Sequence, residues 1–175
     1  MVSTQGSCRN EQQGDAVDEL LEIQRKLIGE WLVDGVNGFI RYLDALRVAN
    51  QKQTSRGPAK LLDLIDHSVF GHDLSIGGRT NGIRMTKDWL LKNQSVVDGL
   101  RATIATGIVS GIRLLGCRTG CDGGRQNLVD ISDMFCVPVW GTTRLTDRCD
   151  YSESGIITRP GLFVASSSLS GATIR

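Results

Sequence analysis

"AKLLDLIDHS", residues 59–68, is the stretch whose reading decides the fold. As a helix its Leu and Ile pairs share a face, with Asp63 and Asp66 together on one side; as a strand it is a buried apolar run ending at His67. Periodicity alone does not separate the two, because a short apolar run fits either. The text that follows favours the strand. "VFGHDLSIGGRTNG", residues 69–82, is dense in Gly and Asn around a short strand candidate, "DLSIGG", and so predicts a hairpin-like excursion.

A second run repeats the design. In "VSGIRLLGCRTG", residues 109–120, an apolar segment hands over at Cys117 to a glycine-rich turn. Helical patterns lie around these two runs. Val17, Leu20, Leu21 and Leu27 recur at helical spacing from Asp15 to about Ile28, and "VNGFIRYLDALRVANQ" (36–51) puts Phe39, Tyr42, Leu43 and Leu46 on one side. "EWLVDG" (30–35) reads as a short strand between them. "MTKDWLLKNQSVVDGLRATIATG" (85–107) predicts helix, capped at Thr86 and broken near Asn93. "GRQNLVDISDMFCV" (124–137) predicts a helix with Leu128, Ile131 and Phe135 inward, and "VPVWGTT" (137–143) another strand. "RLTDRCDYSESG" (144–155) reads as loop, and "GIITRPGLFVASSS" (155–168) as a strand that closes the sheet. Strand and helix alternate, which predicts an α/β fold with a mainly parallel central sheet and helices on both faces.

The 175 residues suffice for one core. Residues 1–14 are too poor in apolar side chains to repay ordering, so the expected organisation is a disordered segment over 1–14 and a single domain over 15–175. A formal net charge of +1, with scattered basic residues, gives no footprint for nucleic acid or an anionic membrane. No apolar segment reaches the ~20 residues of a spanning helix, and the polar start lacks the order of a signal peptide; the expected setting is cytoplasmic. Five cysteines, an odd and sparse set, argue against a disulfide framework there, so reduced thiols are expected. Cys117 and Cys121 are four apart, but with no second such pair and only two histidines a zinc site is not expected.

In an open parallel sheet, functional side chains gather where the strands end at their carboxyl edge. If runs 59–66 and 112–116 are neighbours, His67 and Cys117 leave the sheet at the same edge. A nearby imidazole activates a thiol by taking its proton or lowering its pKa, and Gly116 and Gly120 let backbone amides approach a substrate carbonyl. His72 is a rival base in a loop setting. Asp66 adjoins His67, but neighbouring strand residues point to opposite faces.

These residues resemble the caspase-like (clan CD) cysteine peptidase superfamily, nearest to bacterial domains of the CHAT type. In that family an apolar strand ends in His-Gly near a further Gly and a short strand, and a later strand ends in a small residue, Cys, a variable residue and often Thr-Gly. The matching positions are His67, Gly71, Leu74 to Gly77, then Gly116, Cys117, Thr119 and Gly120, with 50 residues between His67 and Cys117. Residues 59–145 carry the likeness. Ser68 stands where the family usually has Gly, though a serine also offers its amide.

The resemblance implies a caspase-like or flavodoxin-like three-layer sandwich and a thiol protease cleaving peptide bonds without a cofactor. Cys117 would be the nucleophile, His67 the base, and the amides of Cys117 and of Ser68 or Gly71 the oxyanion hole. Trp140 and Asp150 would shape the substrate pocket. It also implies a protein or peptide substrate and a homodimer or a sensor or adaptor partner, with the helical residues 15–50 suited to such contacts. Cys121, Cys136 and Cys149 read as structural or incidental, Cys121 also as a disulfide partner for Cys117 under oxidation. Two alternatives stand beside the peptidase: an inactive scaffolding domain of the same fold, and a flavodoxin-like regulatory domain in which Cys117 only packs.

Overall fold

The computed structural model describes residues 35–52, 59–66, 68–69, 73–76, 82–121, 123–143, 151–152, 155–156 and 163–166. The run that begins at residue 59 forms a strand: β1 spans Lys60–Ile65. It follows a helix, α1, Gly35–Gln51, that buries Phe39 and Leu43. The glycine-rich text after β1 supplies β2 (Ser68–Val69), β3 (Asp73–Ile76) and β4 (Ile83–Arg84). These pair antiparallel in the order β2-β3-β4, the excursion that the turn residues predict.

The helical stretch 85–107 breaks where the sequence says it should. Helix α2 is Lys87–Lys92 and α3 is Gln94–Ala105. Asn93 both ends and begins a helix: its N–H donates to Leu90 O (3.0 Å), its Nδ2 to Trp89 O (2.8 Å), and its own carbonyl accepts from Val96 N (3.0 Å). A short polar side chain that bonds nearby backbone competes with helix continuation. Thr86 holds the N-cap position in extended conformation, but its hydroxyl makes no capping bond.

Next come β5 (Val109–Leu115), helix α4 (Gly123–Phe135) and β6 (Val139–Thr142). A small antiparallel hairpin of β7 (Tyr151–Ser152) and β8 (Gly155–Ile156) lies in the stretch that reads as loop. Two residues per strand leave no alternation to detect in a sequence. The closing strand, β9, is Phe163–Ser166. The central sheet has the order β1-β5-β6-β9, with β1, β5 and β6 parallel and β9 antiparallel to β6. This is the mainly parallel α/β arrangement predicted above.

Alternation decides what the sheet buries. Leu62 and Leu64 of β1, Ile112 and Leu114 of β5, and Val139 of β6 join one apolar core with Phe39, Leu43, Val96, Leu100, Leu128 and Ile131 of the helices. Each such side chain contributes about 1.5–3 kcal/mol relative to staying exposed. The alternate residues differ. Asp63 and Arg113, register partners, form a two-pronged ion pair, with Arg113 Nε donating to Asp63 Oδ1 at 2.6 Å. Trp140, the register partner of Arg113 on β6, packs its ring over Gly111, where a Cβ would come within 2.4 Å of Trp140 Cζ3.

Residues 1–34, with the polar segment 1–14 and the amphipathic stretch 15–28, lie outside the described residues, as does all of "EWLVDG" except Gly35, the first residue of α1. Among the described residues no helix is long and apolar enough to cross a membrane.

Candidate functional site at the carboxyl edge of β1 and β5

The two apolar runs that end in chemically useful residues are hydrogen-bonded neighbours. β1 and β5 pair in parallel, and the register runs to Ile65↔Leu115, the last residue of each strand. Adjacent strands lie about 4.8 Å apart, so the chain leaves the sheet at one edge in two neighbouring places: into Asp66 from β1, and into Gly116 and Cys117 from β5. His67 follows Asp66 and lies outside the described residues, as do Gly71 and His72. Ser68 is the first residue of β2 and registers with Leu74.

The turn after β5 is described in full. Gly116, Thr119 and Gly120 are buried, while Cys117 is half-buried and Arg118 exposed, so the turn presents only its two central residues outward. Arg118 adopts the left-handed region at φ 57°, uncommon for a residue with a long side chain, and its carbonyl accepts from Cys121 N (3.0 Å). The rest is fastened to β6. Thr119 Oγ1 donates to Leu114 O (2.6 Å) and accepts from Thr142 N (2.9 Å). Thr142 Oγ1 donates to Gly116 O, and Gly120 N donates to Thr142 O (2.8 Å). Room for this contact comes from Gly141, where a Cβ would stand 2.8 Å from Gly120 N and Thr119 C. The "GTT" that closes the β6 run (141–143) therefore builds the turn; nothing in its spacing signals that from sequence.

The cysteines correct one expectation. Cys117 is disulfide-bonded, not a reduced thiol. Nor is Cys121 its partner: Cys121 and Cys136 are free, so the second sulfur lies outside the described residues. Cys121 Sγ instead donates to the Thr143 carbonyl at 2.9 Å. The sequence argument against disulfides rested on an expected reducing compartment and on an odd, sparse count; the count does not constrain a single bridge, and the compartment was itself only an expectation. A disulfide sulfur is not a nucleophile; Cys117 becomes one only on reduction.

Of the expected pocket residues, Asp150 lies outside the described residues. The Trp140 ring leans the other way from the turn. It covers Gly111, four residues before the end of β5, or about 13 Å back along the strand at ~3.3 Å per residue. A polar cleft of about 300 Å³ opens between β3, the start of α2 and α4, lined by Asp73, Lys87, Asp88 and Asp130 among others, and it includes none of the residues expected from sequence. Among the described residues no group of three or more His, Cys, Asp or Glu gathers as metal ligands would. No family model, no curated protein and no solved structure matches this chain.

Proposed function

We propose that this protein is a caspase-like cysteine peptidase whose nucleophile, Cys117, is masked as a disulfide and becomes active on reduction. One observation carries the reading: the strands that lead to His67 and to Cys117 are parallel neighbours in register to their last residues. Two further features support it. The turn buries Gly116, Thr119 and Gly120 but leaves Cys117 half-buried and Arg118 exposed, and the antiparallel excursion follows directly after the strand that leads to His67. Left-handed backbone at a non-glycine residue is concentrated at functional sites.

Chemistry begins with a dithiol, which gives up two electrons and two protons and itself becomes a disulfide, leaving Cys117 and its former partner as thiols. The His67 imidazole takes the Cys117 proton as the sulfur attacks the carbonyl carbon of a peptide. The oxyanion is met by the N–H of Cys117 and that of Ser68 or Gly71, each donor being worth about 3 kcal/mol in such sites. On collapse the C–N bond breaks, His67 protonates the leaving amine, and a thioester to Cys117 remains for water to hydrolyse. No cofactor enters. The substrate is a protein or peptide, with Asp150 a candidate for the pocket, and a reducing cytoplasm is the setting that would keep the thiol free.

The test is cleavage of a pooled peptide library, read by mass spectrometry, by the protein before and after dithiothreitol and by the reduced Cys117→Ala variant. Cleavage by the reduced wild type alone is the expected result. Identical peptide pools from reduced wild type and Cys117→Ala would remove the enzyme reading and leave a domain in which Cys117 is structural.

A further inference from the structure

Thr142 ends β6, whereas Cys117 lies in the turn after β5, yet Thr142 holds both ends of that turn. Its hydroxyl donates to the carbonyl of Gly116, immediately before Cys117. Its own backbone grips the other side: the N–H donates to Thr119 Oγ1 at 2.9 Å and the carbonyl accepts from Gly120 N at 2.8 Å. Thr119 and Thr142 are both fully buried, at 0% exposure, so water does not compete for these bonds. Thr119 passes the restraint on to Leu114 O at 2.6 Å, within β5 itself. The two residues between the clamped ends are the half-buried Cys117 and the exposed Arg118.

We propose that Thr142 is a positioning residue for Cys117, and that its hydroxyl fixes the turn so that the reduced sulfur meets its proton acceptor. The inference rests on the peptidase reading, since it matters only if Cys117 reacts. A thiol–imidazole pair works over a heavy-atom separation of a few ångström. A turn free to shift by an ångström would uncouple it. Loss of that coupling returns the thiol to the ionisation of an ordinary exposed cysteine.

Cys136 provides an internal standard, because it is a free, exposed thiol just beyond the C-terminal end of α4. The full chain, its Thr142→Val and Thr142→Ser variants and their thermal unfolding curves are compared after reduction with dithiothreitol. Iodoacetamide alkylation is followed cysteine by cysteine by mass spectrometry from about pH 5 to about pH 9, which brackets activated and ordinary thiols. In the wild type, Cys117 should titrate below Cys136. Thr142→Val should lower the Cys117 rate relative to Cys136 at acidic pH at least about tenfold, the effect of one unit of thiol pKa, while Thr142→Ser keeps the wild-type profile. Should Thr142→Val not fold, Thr142→Ala against Thr142→Ser makes the same comparison. A Thr142→Val profile within twofold of wild type overturns the positioning role and leaves the nucleophile reading standing. Equal losses in the Ser and Val variants also overturn it, since the hydroxyl that Thr142→Ser retains would then not suffice to hold the turn. A wild-type Cys117 that titrates together with Cys136 overturns the activated-thiol reading, and the inference with it.

Discussion

Leu62, Ile112 and Val139 form one rung across the parallel strands, and Asp63, Arg113 and Trp140 form the next. The first rung is 0–4% exposed and packs into the core shared with the helices. The second carries an ion pair whose side chains are 20% and 27% exposed, beside an indole laid over a glycine. A single step along each strand thus separates a surface built for packing from one built around charge. Most of the stabilisation belongs to the first, because apolar burial contributes in proportion to area, whereas a partly exposed ion pair recovers little beyond its desolvation cost. The carboxyl edge, where both surfaces stop, is held by backbone carbonyls and two threonines.

Three substitutions break or sharpen this contrast. The largest effect belongs to Leu114→Ala in the apolar rungs, where a residue at 0% exposure leaves a cavity; its urea midpoint should fall by the equivalent of about 2–5 kcal/mol. Asp63→Asn on the opposite face should cost about 1–2 kcal/mol, between the values for exposed and buried pairs, and less at high salt. If Asp63→Asn proved as costly as Leu114→Ala, the two faces would not differ as described.

The smallest effect is a pH dependence. Burial, and then the charge of Asp63, push the Tyr42 phenol above its ordinary value. The folded state therefore holds that proton more tightly than the unfolded chain, so the associated stability is full below an unfolded pKa of about 10 and is lost as pH climbs toward the higher folded value. Urea unfolding between about pH 9 and pH 11 should show that loss in the wild type, and Tyr42→Phe should flatten it. An unchanged alkaline limb in Tyr42→Phe would place the titrating group elsewhere.

Much of this was legible in the sequence. The Gly-rich text after residues 59–68 both tips that ambiguous run to a strand and declares an antiparallel excursion, and Asn93 marks a helix break that the structure places at that residue. Parallel pairing of β1 with β5 follows from the intervening helices, since a parallel return needs a long crossover. The β7–β8 hairpin was hidden because two-residue strands have no period. The pocket role of Trp140 comes only from the resemblance; nothing in the sequence signals that its ring would lie over the bare backbone of Gly111. The disulfide and the Thr142 clamp were hidden for a common reason: both join residues distant in sequence through groups that leave no pattern of spacing.

The account stands on Cys117 being a thiol made reactive by His67 once the disulfide is opened, and labelling with a peptidyl electrophile tests this most directly. The dithiothreitol-reduced wild type and its His67→Ala variant are treated side by side, and adducts are assigned to individual cysteines by mass spectrometry. The account predicts that Cys117 is labelled well ahead of Cys121 and Cys136, and that His67→Ala removes this lead while the other two are unchanged. Labelling of Cys117 at the same rate with and without the imidazole would contradict it.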